Sequence, residues 1–206
     1  MLNIKFKGIC ENEDEIKKNT KLYKNSVMYK EEATFKERIK KSKKFIILVV
    51  TIVMLSILTI ADLKNIELEF NLIDLLISVL MIIPVMLVFE MIVILLYPIK
   101  ANKDLYIIKK DLTLLLISNS LITKKRFIII CLMPIVILLI VPYITVLITI
   151  GNIPIRITKI LAILSVEACA FAPLNIIEIC NTIKQVPKGG KIFNYGCHSY
   201  WINDKN

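Results

Sequence analysis

Residues 75–99 read LLISVLMIIPVMLVFEMIVILLYPI, a run whose only strongly polar members are Ser78 and Glu90. A continuous apolar run of this length is too long for a strand and matches a helix that crosses a bilayer. Working outward, three more blocks share its character. Phe45–Ala61 is entered through Lys41, Lys43 and Lys44 and left at Asp62 and Lys64. Its 17 residues span about 25 Å as a helix, near the short limit, and flanking lysines can snorkel to make up the difference. Phe127–Ile150 carries Pro134 and Pro142, which predict a kink. Ile160–Ile179 is interrupted by Glu167, Pro173, Asn175 and Glu178, which makes it the least hydrophobic block.

Composition agrees. The chain has 206 residues, 56% of them hydrophobic, and a mean hydropathy of +0.70, whereas soluble domains run at about 45–50% apolar. The formal charge of +10 does not point to nucleic acid, because the basic residues flank the apolar blocks and build no separate basic face. Cys10, Cys131, Cys169, Cys180 and Cys197 form no C-x-x-C pair, and three lie inside or at the edge of apolar blocks. Such a set argues against a disulfide framework and for buried, inert thiols. The first 44 residues are highly charged and no small-residue cleavage site follows the first block, so no signal peptide is expected.

Loop charges set the orientation. Segments 1–44, 100–126 and 181–206 together hold 24 Lys and Arg, against 3 in the 62–74 and 151–159 loops. The positive-inside bias then predicts a multi-pass cell-membrane protein with both termini in the cytoplasm. The expected organisation is a cytoplasmic basic segment at 1–44, a four-helix transmembrane domain at 45–180 and a cytoplasmic tail at 181–206. Segment 1–44 mixes acidic and basic residues, with Glu11, Glu13, Asp14 and Glu15 followed by lysines, and predicts little core of its own.

The 100–126 connection is more than a linker. Leu105–Ile108 and Leu112–Ile117 are short apolar runs around Lys109-Lys110-Asp111, a pattern that predicts a small cytoplasmic β-hairpin. An interfacial helix is the competing reading of runs this short. The fold class expected is therefore an all-α membrane bundle of four helices with one small hairpin between the second and third.

Acidic groups inside spans are costly, which makes Glu90, Glu167 and Glu178 the first candidates for function. Glu167 and Glu178 are eleven residues apart, almost three whole turns, and Asn175 lies on much the same side. A polar seam on the fourth helix facing Glu90 would satisfy them all. The plainer alternative is hydrogen-bonded structural glue, with Glu178 at the water interface. His198, Tyr200 and Trp201 read as a packed tail or an interfacial aromatic anchor. Pro187 with Gly189 marks a turn. Lys36, Arg38, Lys40, Lys41, Lys43 and Lys44 suit anionic lipid, although setting topology explains the same residues. No Gly-rich phosphate loop and no Ser/His/Asp set is visible, and no cofactor is expected.

Four stretches carry a family resemblance. They are Phe89-Glu90-Met91-Ile92-Val93 with its Tyr97-Pro98 ending, the hairpin followed by Lys124-Lys125-Arg126-Phe127 and Pro134, Asn175, and Gln185-Val186-Pro187-Lys188-Gly189-Gly190 leading to His198-Ser199-Tyr200-Trp201. Over roughly 45–201 the chain resembles a bacterial family of zincin-like peptidases of unknown function, distantly similar to site-2-type intramembrane metalloproteases. That family has His-Glu-x-x-His where this chain has Phe89 and Val93 in the two histidine positions. Glu90 alone keeps its place, that of the general base. The acidic position of the fourth-helix pattern falls on Ala172, in the register set by Asn175.

Two imidazoles one turn apart hold zinc while the intervening glutamate activates the bound water. A catalytic zinc normally takes three protein ligands. This chain has one histidine, in the tail. The resemblance therefore implies a pseudoprotease, with no resident metal and no catalysis, that binds a membrane partner where substrate once lay. Two other readings stay open: a small transporter subunit using Glu90, Glu167 and Glu178 as an ion path, and an active metalloprotease with unconventional ligands.

Overall fold

The helix bounds depart from the apolar blocks, because backbone signals rather than hydropathy end the helices. The computed structural model describes residues 4–11, 13–18, 20–29, 35–109, 113–118, 120–195 and 198–203. Helix α2 spans Phe35–Leu63, so it starts ten residues before the first block and includes the lysines that precede it. It stops at a turn in which Asn65 takes a positive φ of 54°. Helix α3 spans Leu72–Leu96 and ends before Tyr97-Pro98, where proline disfavours helical geometry in the residue ahead of it. At the other end of α3, Asn71 Oδ1 accepts the Asp74 N–H at 2.9 Å and Asp74 Oδ2 accepts the Asn71 N–H at 3.0 Å. This reciprocal pair is a capping box with Asp in the Glu position.

The third block is not one α-helix. It comprises α4 (Lys124–Ile135), a π-helical turn (Val136–Ile140) and α5 (Val141–Thr149). Pro142 follows the π turn directly and has no N–H to give. The wider turn, closed by the Val141 N–H on Val136 O, absorbs the break that the sequence predicts as a kink. Helix α6 spans Ile155–Gln185 and ends before Val186-Pro187. Four stretches, Ser42–Leu63, Leu72–Leu96, Lys124–Thr149 and Ile155–Gln185, are long and apolar enough to cross a membrane.

The chain divides into two compact units, and the division cuts through helices rather than loops. One unit holds 39–89 and 132–176. Its core gathers Val53, Ile57, Ala61, Leu68, Val146, Ile150, Ala162 and Cys169. Polar ties cross between its helices: Ser56 Oγ to the Tyr143 hydroxyl at 2.8 Å, and Lys159 Nζ to Asp74 Oδ2 at 2.7 Å. Lys64 Nζ donates to Ile150 O at 2.8 Å, just past the end of α5.

The other unit holds 1–38, 90–131 and 177–206 and corrects the all-α expectation, since it carries two sheets. The predicted hairpin is present as β3 (Lys103–Ile108) and β4 (Thr113–Ile117), antiparallel with Leu105 opposite Leu116; Lys110-Asp111-Leu112 lie outside the described residues. The first segment, expected to have little core, supplies β1 (Ile4–Cys10), α1 (Glu13–Lys18) and β2 (Val27–Met28). Strand β1 pairs in parallel with β3, giving a first sheet in the order β1-β3-β4. Cys10 and Ile16 pack with Tyr106 and Ile117, and Ile16 is fully buried. The segment gains a core by borrowing the hairpin's apolar residues, which a local reading of its own composition does not register.

The tail also folds. The second sheet runs β2-β7-β6-β5, with β5 at Ile122–Thr123, β6 at Lys191–Tyr195 and β7 at His198–Ile202. Pro187–Gly190 makes the turn the sequence predicts, with Gly189 at φ 88° and the Gly190 N–H on Pro187 O at 3.1 Å. The main core of this unit contains Tyr29, Tyr97, Leu116, Phe127, Ile130, Cys131 and Ile192.

Candidate functional site

The candidate residues fall into two groups, one in each unit. In the sheet-bearing unit the focus is Tyr97, seven residues after Glu90 and so on nearly the same side of the chain as it leaves α3. Tyr97 is buried. Glu90 from α3, Cys131 from α4 and Glu178 from α6 lie close enough to act on its phenol, and the Asn194 side chain of β6 hydrogen-bonds to it. Burial is the largest influence and, with those neighbours, pushes the Tyr97 phenol well above its ordinary range. Ser199 of β7 donates to Glu178 Oε2 at 3.4 Å, and one turn beyond Glu178 the Thr182 hydroxyl meets the Tyr29 hydroxyl at 2.9 Å. The result is a cluster of half-buried carboxyl and amide groups with buried phenol, thiol and hydroxyl groups, assembled from three helices and a sheet.

In the other unit Glu167 is 9% exposed and accepts a hydrogen bond from Ser78 Oγ at 3.0 Å. Its second oxygen has no hydrogen-bond partner among the described residues. The expected polar link between the second and fourth helices therefore exists, but through Ser78. Glu90 and Glu178 belong to the sheet-bearing unit and Glu167 to the other. Asn175, half-buried in the same unit as Glu167, has polar or electrostatic company of its own.

The positions that match the zinc-binding motif hold packed apolar side chains. Phe89 is buried and lies against Phe171 with ring centroids 5.4 Å apart. Val93 packs against the core that contains Tyr97. Ala172 is buried. Among the described residues no group of three or more His, Cys, Asp or Glu is placed to hold a metal ion. His198 sits opposite Tyr195 in the β6–β7 pair, Tyr200 packs on Phe193 with centroids 5.8 Å apart, and Trp201 joins the core.

Comparison with protein-family models, curated proteins and solved structures finds no match. The zincin-like resemblance thus stands on its motif positions alone.

The structure adds Tyr97, Asn194, Ser199, Thr182, Tyr29 and Ser78 to the candidates. Tyr97, by its spacing from Glu90, and Ser78, as a polar residue inside an apolar block, left local signals; the partners of all six are set by tertiary contacts. Of the lysines considered for anionic lipid, Lys43 and Lys44 are exposed, while the side chains of Lys36, Arg38, Lys40 and Lys41 lie outside the described residues. Cys180 is exposed and departs from the expectation of buried thiols, whereas Cys10, Cys131 and Cys169 follow it. Cys197 lies outside the described residues.

Proposed function

We propose that this chain is a multi-pass membrane protein with its sheet-bearing unit and both termini on the cytoplasmic side, acting as a non-catalytic, zincin-like binding protein for a membrane partner. The packing at the motif carries the non-catalytic part: a phenyl ring against Phe171 and a core valine stand where the chemistry requires two imidazoles. Glu90 lies beside the buried Tyr97 phenol, a neighbour that suits a packed polar group. The membrane part draws on α3, whose mean hydropathy reaches 3.0 over its most apolar stretch while little of that stretch is covered. A helix apolar on all sides needs an apolar medium around it. Orientation rests on the distribution of Lys and Arg.

Elemental analysis of detergent-purified protein tests the central point: zinc is expected far below one per chain, and Glu90→Gln leaves it unchanged. Stoichiometric zinc that disappears on mutating Glu90 or Glu178 would overturn the reading and favour an unconventional metalloenzyme. Purification from native membranes followed by mass spectrometry tests the binding role, with a stoichiometric membrane protein expected to copurify. The transporter reading draws on the unpartnered oxygen of Glu167; it predicts pH-dependent ion flux in liposomes that Glu167→Gln abolishes.

A further inference from the structure

Three apolar side chains at the outer edge of the first sheet are uncovered: Ile4 at 41%, Phe6 at 59% and Ile9 at 64% exposure. Simple alternation along Ile4-Lys5-Phe6-Lys7-Gly8-Ile9 would send Ile9 to the face opposite Ile4 and Phe6. A β-bulge prevents this. The register shifts between Phe6 and Gly8, so that Ile4, Phe6 and Ile9 stand opposite Lys103, Leu105 and Ile107. Those three alternate along β3 and share one face, and all three apolar residues of β1 share it with them. Gly8 adopts φ 110°, and a Cβ there would meet nothing within 4 Å. Glycine at this position serves backbone conformation, since space is plentiful.

The other members of that face fix what it looks at. Lys103, opposite Ile4, is fully buried and sends its ammonium to Ile94 O at 2.8 Å, in the last turn of α3. Leu116, opposite Leu105, joins the core with Tyr97, Phe127 and Ile130, at the end of α3 and the start of α4. The reverse face is already occupied, because Cys10, Tyr106 and Ile117 pack there with Ile16 of α1. One face of the sheet is therefore laid on the ends of two strongly apolar helices, and the Ile4–Phe6–Ile9 row prolongs it past them. Helix α3 has 25 residues, about 37 Å against a hydrocarbon core of about 30 Å, and the charges of Lys103 and Arg126 at its last turn suit the interfacial zone.

We infer that β1 is an interfacial membrane anchor, with Ile4, Phe6 and Ile9 seated at the boundary between headgroups and acyl chains. Lys5 points to the opposite face, opposite Asp104, and Lys7 is the extra residue of the bulge; both are exposed and keep their charges in water. The inference rests on the membrane reading above but adds a contact that no transmembrane span provides.

Tryptophan quenching in liposomes tests it, using the full chain with Trp201→Phe as background and Phe6→Trp, Ile9→Trp, Lys5→Trp or Val79→Trp added singly. Val79 is 59% exposed two turns into α3 and reports on the membrane reading alone. Lipids brominated on the acyl chain should quench the Val79→Trp, Phe6→Trp and Ile9→Trp proteins severalfold more than the Lys5→Trp protein, and aqueous iodide should show the reverse order. If Val79→Trp is quenched by bromolipid while Phe6→Trp and Ile9→Trp respond only to iodide, the anchor is refuted and the membrane reading stands. Shielding of positions 6 and 9 from both quenchers would mean that protein covers the row, and refutes the anchor as well. If Val79→Trp escapes bromolipid, the membrane reading fails and the anchor falls with it.

Discussion

Glu167 shows how a single acidic residue is accommodated among apolar helices. Ser78 satisfies one oxygen, and hydrogen bonds between membrane helices are worth about 0.6 kcal/mol on average and up to about 1.7. Ser78→Ala should destabilise the protein by an amount in that range, read from unfolding in mixed micelles, and Glu167→Gln should keep most of the bond. A loss well above it would assign Ser78 a packing role instead. Tyr97 permits a pH test. Its folded-state pKa is raised above the value of about 10 for a free phenol. The stability it contributes is thus complete below about pH 10 and is lost as pH rises further, because only the unfolded chain ionises readily. Above that pH the parent protein should lose stability faster than Tyr97→Phe, and parallel slopes in unfolding experiments would contradict the burial argument.

At the scale of elements, helix C-termini are closed by basic side chains from elsewhere in the chain. Lys103 reaches Ile94 O and Arg126 reaches Leu96 O through Nε and Nη2 at the end of α3. Lys124 reaches Ile183 O at 3.0 Å and Val186 O at 2.6 Å at the end of α6. Each satisfies carbonyls that have no partner within the helix and complements the negative end of its dipole. The cap comes at a cost for Lys103, whose pKa is lowered by burial and then by nearby Arg126. Lys124→Met should destabilise the protein by about 1–3 kcal/mol, while Lys125→Met, at an exposed position, should be near neutral. Equal effects in thermal unfolding would show that the charge counts only for topology. In the sequence these residues read as orientation signals, and the caps are invisible there because Lys124 and Val186 are 62 residues apart.

For the whole molecule, orientation is the property most directly open to measurement. In a chain cleared of its own cysteines, Asn65→Cys and Asn152→Cys should label from outside intact cells. Asn119→Cys and Asn206→Cys, whose positions lie outside the described residues, should label only after permeabilisation. Outside labelling at position 119 would overturn the proposed arrangement.

The amino-acid sequence by itself determined the four apolar helices, because hydropathy is a sum over neighbouring residues and needs no partner. It also offered the β3–β4 hairpin, beside an interfacial helix, and the Pro187–Gly190 turn, because paired apolar runs around a polar turn and Pro/Gly signals are local. Helix ends shifted where proline, a capping box or preceding lysines outweighed hydropathy, as at Leu96, Asn71 and Phe35. Tertiary structure decided the rest. Strand β1 finds its place only because β3 offers a parallel edge almost a hundred residues later, and β2 only because β7 returns to it. Which neighbours each acid meets, Ser199 for Glu178 and Ser78 for Glu167, likewise depends on tertiary contacts. Helical periodicity gives the side of a helix on which a residue lies, but its neighbours are set by packing along the helix axis.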